Sequence, residues 1–206
     1  MTQSVKPKPK ARLSRDEARE RIIDATIELV RERSYAELTV GEIMDRAGLE
    51  RTIFYRHFEN VGSLLLGAGR EAIEELYAAQ VALAQARTDI DPGAIRAAIE
   101  VPVTVYHRHG PLLRAVAEAV AADQLVAADQ EMLRRRFDEL VADALRAVVA
   151  EGGSPPADVE ETARALNLLN ERYLLDAFGR EPRVSVETAS QTLSEIWAPV
   201  LSGRGT

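Results

Sequence analysis

The chain has no cysteine among its 206 residues. Disulfide frameworks, thiolate zinc sites and cysteine nucleophiles are therefore excluded, and nothing points to an oxidising compartment. No stretch approaches the run of about 18 uncharged apolar residues that a membrane span needs. Residues 1–15 are basic and lack the apolar run of a signal peptide, so a cytoplasmic location is expected. Neither a β-type alternation nor an internal repeat stands out. No glycine-rich phosphate loop, nucleophile elbow or HExxH motif appears either. His107 and His109 lie near Glu100 and Glu118, but histidines two apart on a helix point in very different directions. No metal, cofactor or enzymatic activity is expected; a helical enzyme or a purely structural helical protein is the alternative reading.

Charge is the first positive signal. The net charge is −7, yet residues 1–60 hold 12 Lys/Arg against 11 Asp/Glu, whereas the remainder holds 14 against 22. Lys6, Lys8, Lys10, Arg12 and Arg15 all precede the first acidic residue. A cationic arm beside a folded head suits a polyanion, because neutralised phosphates release condensed counterions. The competing reading is a solubilising tail.

Ser14 and Glu17 form an S-x-x-E capping box that should open a first helix, with Ile22, Ala25, Thr26, Leu29 and Val30 recurring at helical spacing. Thr39 with Glu42 repeats the box and opens a short helix that Gly48 stops, since glycine can take the left-handed conformation that closes a helix. Arg51 to Phe58 should make a third short helix, so residues 39–58 read as a helix-turn-helix. It is too short to stand alone and should be held by Leu49, Ile53, Phe54 and Phe58. Arg51, Thr52, Tyr55 and Arg56 are then free to face a major groove, where arginine pairs bidentately with guanine and threonine meets a thymine methyl. Beyond residue 60 a long amphipathic helix fades near Arg87 and Asp91-Pro92-Gly93 marks a break. Pro102 and Gly110-Pro111 are expected to punctuate the helices that follow, and a stripe from Val126 to Val148 marks another. After a Gly152–Pro156 loop, the last two helices should cover about 157–178 and 185–201.

Leu38 to Leu65, LTVGEIMDRAGLERTIFYRHFENVGSLL, resembles the DNA-binding signature of the TetR family of transcriptional regulators, in its Thr-Val start, Ala-Gly turn and Phe-Tyr-x-His-Phe ending. The resemblance implies that Thr39, Tyr55 and His57 bond phosphates, fixing register without reading sequence. The alternative for Tyr55 and His57 is a capped core aromatic and a surface histidine. Glu50 and Val61 stand where the family often has serine and lysine, which removes one phosphate contact and places a carboxylate near the DNA. Further on, Ala165 to Arg172 (ALNLLNER), Phe178 and Glu195-Ile196-Trp197 are similar to the EthR branch of that family, over roughly residues 163–200.

That second resemblance implies an elongated hydrophobic channel touched by Asn167, Asn170 and Trp197. Asn167 and Asn170 are three apart and interrupt an otherwise apolar helix. They serve either to bond a ligand or to bond backbone and water. Ile95, Ile99, Tyr106, Leu113 and Leu175 are expected as apolar walls. With only 5% aromatic residues, the pocket should differ in shape from an aromatic-rich one. The expectation is thus an all-α chain with a flexible basic arm (1–13), a three-helix DNA-binding domain (14–60) and a larger helical ligand-binding and dimerisation domain (61–202). Its expected partners are double-stranded DNA, a small apolar effector and a second copy of itself, with no membrane. The last two helices should form the dimer, and two-fold symmetry calls for a palindromic operator with recognition helices about 34–36 Å apart, or further if more turns are spanned.

Overall fold

The computed structural model describes residues 13–85, 92–150, 152–154 and 156–201. The Lys/Pro arm through Arg12, Asp91 of the expected break and the end of the second domain at residue 202 lie outside them. The described residues form α1 (Arg15–Glu32), a 3-10 turn (Tyr35–Glu37), α2 (Val40–Ala47), α3 (Arg51–Phe54), α4 (Val61–Gln85), α5 (Pro92–Ala122), α6 (Gln124–Ala150), α7 (Val159–Phe178) and α8 (Val186–Leu201). The fold is all-helical.

Helix starts follow local chemistry. The Ser14 hydroxyl accepts from the Glu17 amide while the Glu17 carboxylate accepts from the Ser14 amide, the reciprocal box its spacing calls for. A second box, Ser34 with Glu37, shapes the 3-10 turn. At α2 the Thr39 hydroxyl accepts from the Glu42 amide, but the Glu42 carboxylate takes the Thr39 hydroxyl proton and the Arg33 guanidinium instead of the Thr39 amide. Gly48 closes α2 at φ 67°, the left-handed region that costs an L side chain.

Pro102 and Gly110-Pro111 do not interrupt the chain: both prolines lie inside α5, which runs unbroken over 31 residues. An interior proline costs roughly 3 kcal/mol through its missing N–H and its clash with the preceding turn. Against that, Ile95, Ile99, Val103, Val105, Tyr106, Leu112 and Leu113 of the same helix are all buried, each worth about 1.5–3 kcal/mol. Packing wins over propensity. Gly110 serves an approach, not a turn, because a Cβ there would collide with the Phe178 carbonyl oxygen at the end of α7.

Among the described residues two apolar clusters result. One gathers α1, α2, α3, the start of α4 and Leu112, Ala115, Val116 and Ala119 of α5. The other gathers the rest of α5 with α4, α6, α7 and α8 around Leu145, Leu174, Phe178, Leu193 and Trp197. α5 is common to both.

Candidate nucleic-acid interface and ligand cavity

The α-helical part of α3 is four residues, shorter than the expected Arg51–Phe58; a tightened turn continues it, with the Arg56 and His57 amides bonding back three residues to Ile53 and Phe54. Phe54 is fully buried, Phe58 nearly so, and Leu49 and Ile53 pack against the same cluster. With those four turned inward, Arg51, Thr52, Tyr55 and Arg56 are exposed, Tyr55 at 56%. The Arg51 guanidinium reaches the Tyr55 hydroxyl at 3.5 Å, so these two share one outward face. His57 is half-buried beside the Phe58 ring. Burial first, then Arg15, Arg19 and Arg56, lower its pKa, with Asp16 opposing. It is the neutral form that the folded head favours. Thr39 is exposed at the α2 start with its hydroxyl held by Glu42. Glu50 precedes α3 without capping it, and Val61 opens α4 half-buried.

The second site is a cavity of about 360 Å³ between α4, α5, α6 and α7. Tyr106, Leu113, Asn167, Asn170 and Leu175 line it; Ile95, Ile99 and Trp197 are buried in the body core and are not part of its wall. Trp197 acts at one remove: its indole N–H donates to Asn170 Oδ1 at 2.9 Å. An indole is a donor only, so it fixes the amide with Nδ2 on the other side, where no described residue accepts from it. Asn167 is tied at both ends, donating to Asp138 at 2.8 Å and accepting from Gln80 at 3.1 Å. Tyr106 is buried, and that burial, with a smaller push from Glu171, raises its hydroxyl pKa above the ordinary phenol range. It stays a neutral donor and acceptor.

Sequence reasoning missed Gln80, Asp138 and Glu171. Gln80 could have been found: it falls seven residues after Ile73, on the apolar face of α4. Asp138 carried no such signal, since only tertiary packing brings it to Asn167. His107 is exposed with its ring edge-on to Phe178 at 5.4 Å, and among the described residues no group of three His, Asp or Glu side chains is placed to hold a metal.

A recognition turn exposed on a small helical head, joined by continuous helices to a body with a largely apolar cavity, has the architecture of a helix-turn-helix regulator. Comparison with known proteins specifies which. Residues 22–68 match the model of bacterial regulatory proteins of the tetR family, and residues 95–202 match that of the transcriptional regulator EthR C-terminal domain. The HTH-type transcriptional regulator EthR of Mycobacterium tuberculosis (strain ATCC 25618 / H37Rv) is 30% identical over 197 residues, 94% of this chain and 91% of that protein. Its namesake in Mycolicibacterium smegmatis is 25% identical over 98% of this chain and 94% of its own. Among solved structures, the TetR family regulator PfmR from Thermus thermophilus superposes with a TM-score of 0.71 at 21% identity, covering 90% of this chain and all of that one. A TetR-like regulator from Rhodococcus sp. RHA1 gives 0.71 at 19%, over 94% and 100%. The chain belongs to the TetR family of transcriptional regulators, with a C-terminal domain of the EthR type.

Proposed function

We propose that this regulator is a homodimeric repressor, held on a palindromic operator by its 14–60 head and arm and released when a small apolar molecule occupies its 61–202 body. The observation that carries the ligand half is the open amide of Asn170. A largely apolar cavity in which a buried indole locks the Asn170 amide with its Nδ2 open, beside the Tyr106 hydroxyl, is built to seat an apolar molecule bearing a carbonyl. For the DNA half, Arg51, Thr52 and Arg56 are the base readers, and Thr39, Tyr55 and His57 the phosphate contacts. Thr39 must exchange its Glu42 partner for the phosphate to play that part.

Dimerisation is supported by apolar side chains left outside. Leu168 and Leu169 on α7 and Ile196 on α8 are each more than a third exposed, and two copies pairing these helices would form a four-helix bundle. Action on DNA places the protein in the cytoplasm; among the described residues no helix is long and apolar enough to cross a membrane.

The test is a titration with N-dodecylacetamide, a secondary amide on an apolar chain, read by the emission of the single tryptophan and by release of DNA from upstream of the protein's own gene. Saturable quenching or shift of Trp197 emission, weakened in Asn170→Leu, with DNA released over the same range, is the expected result. Release with no change in emission or thermal stability would place the effector site elsewhere, and tighter DNA binding would reverse the sign of the coupling.

A further inference from the structure

The C-terminal half of α5 is a wall with two faces. Leu113 and Ala117 line the cavity, Leu112, Ala115 and Ala119 are packed into the head cluster, and Val116 and Val120 belong to both. Between them stands Arg114, whose side chain is only 11% exposed. Four hydrogen bonds leave its guanidinium. Nε donates to the Gly179 carbonyl beyond α7 at 2.8 Å, and Nη1 to Glu118 at 2.5 Å. Nη2 donates to the Val30 carbonyl at 2.8 Å and to the Arg33 carbonyl at 2.9 Å. Those two carbonyls sit at the C-terminal end of α1, where a cation also meets the negative end of the helix dipole. Glu118 completes the join by accepting from the Tyr35 amide at 2.7 Å. A Cβ at Gly179 would meet the Leu175 carbonyl oxygen first, at 2.3 Å, and Arg114 Cβ at 3.2 Å.

From this joint the chain of contacts continues into the DNA-binding head. Arg33, whose carbonyl Arg114 holds, donates through its own guanidinium to Glu42 at 2.8 Å, and Glu42 holds the Thr39 hydroxyl at 2.9 Å. A displacement of α5 therefore reaches the start of α2 through hydrogen bonds, without passing along α4. A buried guanidinium with four of its five donors committed would lose several partners together if it were displaced.

We propose that Arg114 and Glu118 form a latch between the ligand cavity and the DNA-binding head, closed when the cavity is empty and released when its contents push the α5 wall outward. The physiological sense of the latch rests on the ligand-responsive reading above; its mechanics do not, and they can be tested on the protein alone. Ala117 points from the α5 wall into the cavity, so Ala117→Phe fills part of it from within.

The experiment is amide hydrogen exchange across residues 30–40 in the full chain, comparing wild type, Ala117→Phe, Arg114→Met and the double variant. Ala117→Phe should speed exchange of the Tyr35 amide and its neighbours by about tenfold, the loss of roughly one charge-assisted hydrogen bond. Arg114→Met should do the same with the cavity unfilled, and the double variant should add little to either. Unchanged or slower exchange in Ala117→Phe, or full additivity in the double variant, overturns the latch. Ala117→Leu replaces the phenylalanine if the larger side chain lowers the melting temperature. Glu118→Met, which removes the acceptor and leaves the Arg114 bonds to the α1 carbonyls in place, should free the Tyr35 amide alone. Because neither DNA nor effector is present, failure here leaves the repressor reading standing, and failure of that reading leaves the exchange result intact.

Discussion

The Trp197 indole N–H donates to Asn170 Oδ1 at 2.9 Å, joining α8 to α7 in the core with both side chains buried. Removing one partner leaves the other unsatisfied. Asn170→Leu should therefore cost about 1–3 kcal/mol of stability, with a similar hydrogen-bond loss in Trp197→Phe. The double variant should cost clearly less than the sum, as for any directly bonded pair. Urea unfolding of the four proteins decides it, and strict additivity would contradict the bond.

Gly110 offers a steric test of the fold. Gly110→Ala would set a methyl group well inside van der Waals contact with the Phe178 carbonyl oxygen, a clash with backbone that no side-chain rotation relieves. A loss of about 3 kcal/mol is expected. Thermal melting should show it as a lower Tm; a neutral result would mean that α5 and the end of α7 do not cross there.

His57 predicts a pH dependence. Its folded pKa lies below the ordinary histidine value, chiefly from burial and then from Arg15, Arg19 and Arg56. The unfolded chain consequently takes up its proton first as pH falls, so stability is full above about pH 6.5 and declines as pH drops below it. His57→Gln should flatten that decline between about pH 7.5 and 5.5. An equally steep decline in the variant would assign the effect to other groups.

The exposed face of α3 predicts a division of labour on DNA. Arg51→Ala and Thr52→Ala should relax preference at particular base pairs by about 1–3 kcal/mol, whereas Tyr55→Phe should weaken all operator variants alike. Binding curves on a panel of single-base operator variants separate the two patterns. Equal, sequence-blind losses from all three would remove the assignment.

What could be read in the sequence was local. Ser14-x-x-Glu17, Thr39-x-x-Glu42 and Gly48 each announce a helix end within four residues, and the structure puts a helix end at each. The same local logic failed at Pro102 and Gly110-Pro111, where breakers by propensity lie inside α5 because contacts distant in sequence outweigh them. It failed again at the short end of α3, whose last residues are set by packing of Phe58. Arg114 was hard to read for a related reason: three of its four partners, Val30, Arg33 and Gly179, are 65 to 84 residues away. Only a lone arginine among Leu112, Leu113, Ala115 and Val116 hinted at a buried charge with a task.

The most direct measurement is an electrophoretic mobility shift on the DNA upstream of the protein's own gene, at about 50 mM salt, comparing the wild type with Tyr55→Phe and Arg51→Ala. The account predicts a discrete complex of at least two protomers per duplex that weakens steeply as salt rises to about 200 mM and is weakened by both substitutions. No complex at low salt, or one that binds as a monomer and ignores both substitutions, would contradict it.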